Sequence, residues 1–194
     1  LLLSLGGAAR LSTESVVHDA PLMVAVDATE RRDTGRPGTG VLVRLASAIE
    51  AEWLAALFPG EIQESVQLRW NEAGGRVDEV RRTTYGQIAL EESVQPAAPS
   101  EAAGQMLAAA AFEQNLSCFP DLEALSTLQV RIGLLSNHFP NAQLPAIDAE
   151  YIRSAIRELC ATRRSLAELS HVSLCDHISE RLSPRHRELL RREV

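Results

Sequence analysis

Lysine is absent from this 194-residue chain, because all 19 of its basic residues are arginine. That absence excludes chemistry that needs a lysine amine, such as a phosphate-loop lysine or a Schiff base. Aromatic residues make up only 4% of the chain, so aliphatic side chains and alanine must fill its core. The longest apolar run, Met106 to Phe112, is far shorter than the ~20 residues that a membrane-spanning helix needs.

Cysteine is also rare, since only Cys118, Cys160 and Cys175 are present. An odd and small number of cysteines does not make a disulfide framework, and it favours a reducing, cytoplasmic setting. The chain opens on the short apolar segment 1–5, without the methionine and basic residues that begin a signal peptide. We therefore expect this sequence to be cut from a longer protein.

The formal net charge of −7 argues against a protein that binds nucleic acid over its whole surface. Any nucleic-acid contact must use a local patch of arginines. Arginine suits that role, because its planar guanidinium can grip a phosphate with two parallel hydrogen bonds.

Alternating apolar residues predict five strands, at 21–29, 41–46, 62–70, 77–84 and 87–93. The first strand is apolar on both faces, which predicts burial on both sides. Between the second and third strands, a helix is predicted to begin at a capping box of Ser47 and Glu50. Trp53 and Leu57 share one face of that helix at a spacing of four, and we expect this face to be buried as the plug of a small barrel.

We predict an α+β chain: a five-stranded OB-like barrel with a helix inserted between strands 2 and 3, then an all-helical segment. Ser100, Asp148, Ser165 and Ser183 mark helix starts in that segment. The predicted divisions are a lead-in at 1–20, the barrel at 21–94, a proline-rich linker at 95–100 and the helical segment at 101–194.

Three further patterns were weighed for chemistry. Gly35, Gly38 and Gly40 lie in a polar loop that is typical of a hairpin connection rather than a phosphate cradle, because no phosphate-loop lysine follows. His171 and Cys175 are spaced by one helical turn, but with His177 they fall short of the four ligands usual for structural zinc. No nucleophile or zinc-protease motif is present, so we predict no catalytic residue, no metal site and no cofactor in this chain.

Several short segments occur in a characteristic order along the chain. These are Leu5–Leu11, Val24–Asp27, Val43–Glu50, Glu52–Leu54, Leu57–Pro59, Leu68–Trp70, Arg76–Val77, Tyr85 and Leu90–Glu92. Their order and spacing resemble the C-terminal region of bacterial HrpB-like DEAH-box ATP-dependent helicases. The resemblance is clearest over residues 5–93 and looser over 100–194. The family's Walker A and DEAH motifs, and its Pro-Ser-Gly-Arg-type segment near the end, are absent from this sequence.

The resemblance implies a non-catalytic accessory region that begins at the end of a helical ratchet and contains an OB-like barrel and part of a C-terminal extension. Such a region guides single-stranded RNA or DNA and packs against the RecA-like motor domains. ATP and Mg²⁺ are expected only for those motor domains. The alternative, which the net charge favours, is a structural or protein-interaction module without nucleic-acid contact.

Two groups of arginines are candidates for contacting a strand. Arg69, Arg76, Arg81 and Arg82 lie on the predicted barrel near Trp70 and Tyr85, the pairing of cations and aromatics that OB-folds use. Trp70 shares its strand face with apolar residues and is expected in the core. Arg153 and Arg157, joined by Arg164 if the helix runs that far, form a second group that could equally be a solvated face. The densest basic stretch is at 181–192, and it is expected at the surface or against sequence beyond this chain, with nucleic-acid contact as the alternative.

Overall fold

A computed structural model of the chain describes residues 1–32 and 39–192. Within these ranges the chain is an α+β fold with two three-stranded sheets and seven helices. The strands are β1 (Ala9–Leu11), β2 (Met23–Arg32), β3 (Thr39–Ala48), β4 (Ile62–Asn71), β5 (Arg76–Tyr85) and β6 (Ile88–Pro96). The helices are α1 (Ala51–Leu57), α2 (Glu101–Glu113), α3 (Leu122–His138), α4 (Ala149–Ala161), α5 (Leu166–Leu169), α6 (Leu174–Arg181) and α7 (Pro184–Arg192). None of the helices in these ranges is long and apolar enough to cross a membrane.

The five predicted strands and the helix between the second and third of them are confirmed as β2 to β6 and α1. The loop glycines Gly35 and Gly38 lie outside the described residues, whereas Gly40 lies in β3. The described residues divide into two compact units. Unit 1 is drawn from Leu1–Gln67 and Val80–Val94, and unit 2 from Leu68–Glu79 and Gln95–Val194. The domain boundaries expected from the sequence stay a prediction.

Unit 1 contains the first sheet, in which β3 lies between β1 and β2. β1 pairs with β3 in parallel, with Ala9 opposite Val41, and β2 pairs with β3 in antiparallel register. The β2–β3 register shifts on either side of Asp27, which marks a β-bulge. The buried core beside these strands is small and consists of Ala9, Val43 and Ala46, with Leu3, Leu11, Met23 and Val41 partly buried around it.

The predicted capping box at Ser47 is wrong. Ser47 pairs with Val24 in the β2–β3 ladder, and β3 continues to Ala48 before α1 begins at Ala51. The N-cap of α1 is Glu50, and its side chain makes no capping hydrogen bond. Strand pairing therefore extends past the serine that would have started the helix.

Burial of the apolar face of α1 is also contradicted, since no residue of α1 is buried. Trp53 is 54% exposed and Leu57 is 72% exposed, so this helix plugs no barrel interior among the described residues. The expected burial of both faces of the first predicted strand fails in the same way, because Val24 and Val26 on β2 are exposed. β2 is an edge strand of a three-stranded sheet, and the core of unit 1 is too small to cover both of its faces.

A glycine joins the start of the chain to the end of β5 within unit 1. The Gln87 amide donates a hydrogen bond of 2.8 Å to the Ser4 carbonyl. Gly86 has a φ of +56°, and a Cβ at this position would lie 2.2 Å from the Ser4 oxygen. Only glycine meets both demands, since it adopts positive φ freely and leaves room for the carbonyl.

Unit 2 holds the larger core, which is dominated by helices. Its most deeply buried side chains are Leu107, Ile156, Cys160, Leu169, Leu174 and Ile178. The hydroxyl or carboxylate of the N-cap accepts a backbone hydrogen bond at Ser100, Asp148 and Ser165, as expected. Helices α2 and α4 approach closely at Gly104, where a Cβ would lie 2.6 Å from the Ala161 Cα.

The β4–β5 turn belongs to unit 2 because its apolar residues pack on the helical core. Val77 is buried, and Leu68 and Trp70 are half-buried against the same core, as expected for Trp70. The Leu166 amide donates a hydrogen bond of 2.9 Å to the Gly75 carbonyl, which joins the turn to α5. The hairpin tip is therefore part of the helical unit's packing.

Asp121 stabilises a helix that begins about fifty residues later in the sequence. Although Asp121 is the N-cap of α3, its carboxylate accepts hydrogen bonds from Ser173 Oγ at 2.7 Å and from the Cys175 amide at 2.8 Å, at the start of α6. Burial acts to raise the pKa of Asp121, but the hydrogen bonds from Ser173 and from the α6 amides outweigh it and hold the pKa below its ordinary value.

We predict that Gly104→Ala destabilises unit 2. The new methyl group overlaps the α4 backbone, and relieving that overlap is expected to cost ~1–3 kcal/mol. This cost exceeds the stabilisation that the higher helix propensity of alanine provides. Urea unfolding followed by circular dichroism measures the change. The control is Gly133→Ala on α3, where a Cβ meets no atom within 4 Å. That variant should be neutral or up to ~1 kcal/mol more stable, and equal effects of the two substitutions would contradict the close crossing.

We predict that Asp121→Asn lowers the free energy of unfolding by about 1–2 kcal/mol at neutral pH, since the helix cap loses its charge. The pKa of Asp121 is lowered in the folded state, so its contribution is complete above the ordinary carboxyl pKa. The contribution is lost as pH falls through the folded-state pKa. The difference between wild type and variant should therefore shrink in acid. Glu123→Gln in the first turn of α3 is the control and should change stability by only a few tenths of a kcal/mol.

Candidate nucleic-acid interface

The six candidate arginines fall in three places. Arg81 and Arg82 lie on the part of β5 that belongs to unit 1, whereas Arg69 and Arg76 lie on the hairpin residues of unit 2. Arg153 and Arg157 lie one turn apart on α4, also in unit 2. The six arginines are therefore divided between the two units.

In unit 1, Arg81 and Arg82 line a shallow groove of about 220 Å³. Arg82 Nε donates a hydrogen bond of 2.9 Å to Glu92 Oε2, and its Nη2 contacts the same oxygen. The side chain of Arg82 is 50% exposed and that of Glu92 is 34% exposed. The rest of the lining consists of Val66, of hydroxyl groups from Ser65, Thr83 and Ser93, and of carboxylates from Glu64 and Glu91. The groove is therefore polar and carries charges of both signs.

In unit 2, Arg76 has a structural role. Its Nε donates to Asp78 Oδ1 at 2.9 Å, and Asn71 Nδ2 donates to Asp78 Oδ2 at 2.6 Å. The hydrogen bond from Arg76, then the one from Asn71, hold the pKa of Asp78 below its ordinary value against the effect of burial. Arg76 therefore compensates a buried carboxylate beside the hairpin turn.

The other hairpin candidates differ in surroundings. Arg69 is exposed, while its neighbour Trp70 is turned to the helical core. The Tyr85 ring lies in unit 1 with its centroid 6.0 Å from that of Phe58. The two aromatics that the sequence placed beside the arginines thus each have a packing partner.

The α4 arginines share one carboxylate. Arg153 Nη1 lies 2.7 Å and Arg157 Nη1 lies 3.9 Å from the carboxylate oxygens of Glu150. The Arg153 guanidinium also lies over the Phe112 ring, 5.7 Å from its centroid. Arg164 is not on this face, because α4 ends at Ala161. The shared carboxylate leaves the cluster of Arg153, Arg157 and Glu150 with one net positive charge.

The expectation of a surface role for the whole stretch 181–192 is wrong at Arg181. Its guanidinium lies 4.7 Å from the centroid of the Tyr151 ring, and Nη2 donates to Ser154 Oγ at 3.1 Å. Glu158 lies 3.2 Å away and balances the charge. This arginine links α6 to α4, a contact that residue spacing alone cannot show.

Residues 1–32 and 39–192 bring together no three histidine, cysteine or acidic side chains that could hold a metal ion. Burial, and then the neighbouring Cys118, raise the pKa of Cys160 to about 12. A thiol with that pKa stays protonated at neutral pH and is a poor nucleophile.

Comparison with known proteins gives two structural matches. No protein-family model and no curated protein matches this chain. Two solved structures are similar to it. The crystal structure of the E. coli DExH-box NTPase HrpB matches with 20% identity and a TM-score of 0.40, over 97% of this chain and 23% of that chain. The crystal structure of the Escherichia coli DEAH/RHA helicase HrpB matches with 16% identity and a TM-score of 0.43, over 97% and 24%.

The matched protein bears the name of the family that the ordered sequence segments resemble. The chain spans about a quarter of the length of the HrpB structures it matches, 23% and 24%.

We predict that Arg76→Gln destabilises unit 2, because the buried Asp78 carboxylate loses its strongest partner. The midpoint of thermal unfolding should fall by roughly 3–8 °C. Arg69→Gln is the matched control on the same hairpin, and it should leave the midpoint within about 1 °C because the side chain is exposed. Differential scanning calorimetry makes the measurement. Equal midpoints for the two variants would show that Arg76 is not needed to compensate Asp78.

Proposed function

We propose that this chain is a non-catalytic accessory region of a HrpB-like DEAH-box helicase. In this proposal, residues 21–94 form an OB-like barrel that guides single-stranded RNA or DNA. Residues 101–194 pack on the RecA-like motor domains, which bind ATP and Mg²⁺. The order of sequence segments from Leu5–Leu11 to Leu90–Glu92 supports the family, and five strands with a helix after the second support the barrel.

The observation that carries the strand-binding role is the exposed ion pair of Arg82 with Glu92. Both side chains are in contact with water, and an exposed pair contributes only about 0–1 kcal/mol to stability. Arg82 can therefore exchange the carboxylate for a phosphate at little cost. The hydroxyls of Ser65, Thr83 and Ser93 in the same groove are further donors to phosphate and sugar oxygens.

The charge of the groove sets the strength of binding that we expect. Glu64, Glu91 and Glu92 lie close to Arg81 and Arg82, so the groove is not strongly positive. Binding by this chain alone should be weak and should decrease steeply with salt. A helicase gains from a weak accessory contact, because a strand must slide past it while the motor domains work.

Arg153 and Arg157 on α4 are a second contact point in the proposal. Their common partner Glu150 is 69% exposed, so the same exchange of carboxylate for phosphate applies. The Arg76 guanidinium is a weaker candidate, since its Nε already holds the buried Asp78. The test therefore separates the arginine pair on β5 from the arginine pair on α4.

We predict saturable binding of a fluorescently labelled 12-nucleotide single-stranded RNA to the 194-residue chain at 50 mM salt. Replacing Arg81 and Arg82 together by Gln should weaken binding about tenfold. The slope of log K against log salt should become shallower by about 1.4, from ~0.7 for each lost phosphate contact. Fluorescence anisotropy measures both quantities. Arg153→Gln with Arg157→Gln should give a similar change if α4 also touches the strand.

The matched control is Arg44→Gln. Arg44 is also exposed and paired with a carboxylate in unit 1, at 2.9 Å from Asp27, but it lies on the other sheet. This variant should bind RNA as the wild type does. The absence of RNA binding at 50 mM salt, or an equal loss in the Arg44 variant, would contradict strand guidance by the groove.

The exposed apolar side chains of unit 1 favour a second function, in which this chain binds to the surface of another protein domain. Trp53 and Leu57 share one face of α1, and Phe58 follows them. Exposed aromatic and aliphatic side chains that lie close together are typical of protein-interaction surfaces. Chains that fail to bind RNA, yet bind the motor domains of the same helicase through Trp53, would support this alternative.

A further inference from the structure

A pocket of about 420 Å³ lies in unit 2, lined by the end of α3 and by α7. Its volume falls in the range of about 300–1,000 Å³ that small-molecule sites occupy. The apolar part of its lining includes Phe139, Pro140 and Leu189, and the polar part includes Arg185, His186 and Arg192. None of these residues belongs to the candidate interface described above.

The walls of the pocket are joined by hydrogen bonds between its two sides. His186 Nε2 lies 3.0 Å from the Ala142 carbonyl oxygen, so the imidazole of α7 contacts the turn that follows α3. The Arg131 guanidinium on α3 donates to the Leu190 carbonyl on α7. The His186 amide is held in turn by Ser183 Oγ at 3.2 Å. The cavity is thus formed by connected elements.

The chemistry of the lining combines an aromatic ring with cations. Phe139 is 39% exposed although it is a large apolar residue at the C-cap of α3. Arg185 is exposed and lines the same pocket, while Arg192 is neutralised by Glu188, a further lining residue, at 2.8 Å. An exposed ring, together with a guanidinium that pairs with no carboxylate among the described residues, suits a ligand with a flat face and a negative charge.

We propose that this pocket binds a nucleotide, with its base stacked on Phe139 and its phosphate at Arg185. Aromatic stacking accepts any base, and the arginine supplies charge-assisted hydrogen bonds to phosphate. The pocket is separate from the groove of unit 1, so the inference does not depend on strand guidance there. A free nucleotide and one nucleotide of a strand present the same groups, and the experiment distinguishes them.

The test is a titration of the isotope-labelled 194-residue chain, with the ring resonances of His138 and His186 followed by NMR. Adenosine monophosphate should move these resonances saturably. Adenosine and inorganic phosphate should each bind at least about tenfold more weakly, because each lacks half of the recognised groups. A six-nucleotide adenosine strand that moves the same resonances at lower concentration would assign the pocket to a strand, and a response to the monophosphate alone would assign it to a free nucleotide.

Phe139→Leu and Arg185→Gln should each weaken binding of the monophosphate about tenfold. Arg164→Gln, another exposed arginine of unit 2 that does not line the pocket, should leave binding unchanged. Phe139→Trp keeps a stacking face and should bind at least as well, which separates loss of stacking from loss of folding. Unmoved ring resonances, inorganic phosphate binding as tightly as the monophosphate, or full affinity in Phe139→Leu would each overturn the proposal.

Discussion

The close approach of α2 and α4 at Gly104 is the constraint on which unit 2 depends. A methyl group there would overlap the backbone at Ala161, so the two helix backbones are in direct contact without intervening side chains. This proximity places Leu107 of α2 and Ile156 of α4 in the same buried core. The outer face of α4, with Arg153 and Arg157, is held in place as a result. The orientation of a candidate binding surface thus follows from the absence of one side chain.

Much of this architecture could be predicted from local sequence patterns. The five strands alternate with period two, and the helices of the second half begin at serine or aspartate, so element type followed from short segments. The helix start predicted at Ser47 was wrong because Ser47 pairs with Val24 on a neighbouring strand, so the chain is still a strand where the capping pattern predicted a helix. The predicted burial of Trp53 was wrong because residue spacing shows which side chains share a helix face but not whether another surface covers that face. The role of Asp121 at α6 could not be foreseen, since its partners are remote in sequence.

For the candidate sites too, the sequence pattern selects residue types, but it does not show which residues they contact in the fold. Residue type selected arginines on two sheet strands and one helix as candidates, but only the fold distinguishes them by their carboxylates. The carboxylate that pairs with Arg76, Asp78, is buried, whereas Glu92 and Glu150, which pair with Arg82 and Arg153, are accessible. The sequence marked only one wall of the pocket beside Phe139, the basic stretch 181–192, because the pocket is assembled from a helix end and a helix about fifty residues later. Arginine content alone therefore does not show which arginines are structural, since that depends on partners that only the fold brings together.

The path of the chain between the units has a consequence for dissecting this molecule. The chain leaves unit 1 after Gln67, contributes Leu68–Glu79 to unit 2, returns at Val80 and leaves again after Val94. No single cleavage point therefore yields both units complete. A helical fragment beginning at residue 101 would lack Leu68, Trp70 and Val77, and it would present to water the apolar surface that they cover. Fragments intended to isolate one activity should therefore carry the hairpin with the helices, joined by a linker in place of the intervening strands.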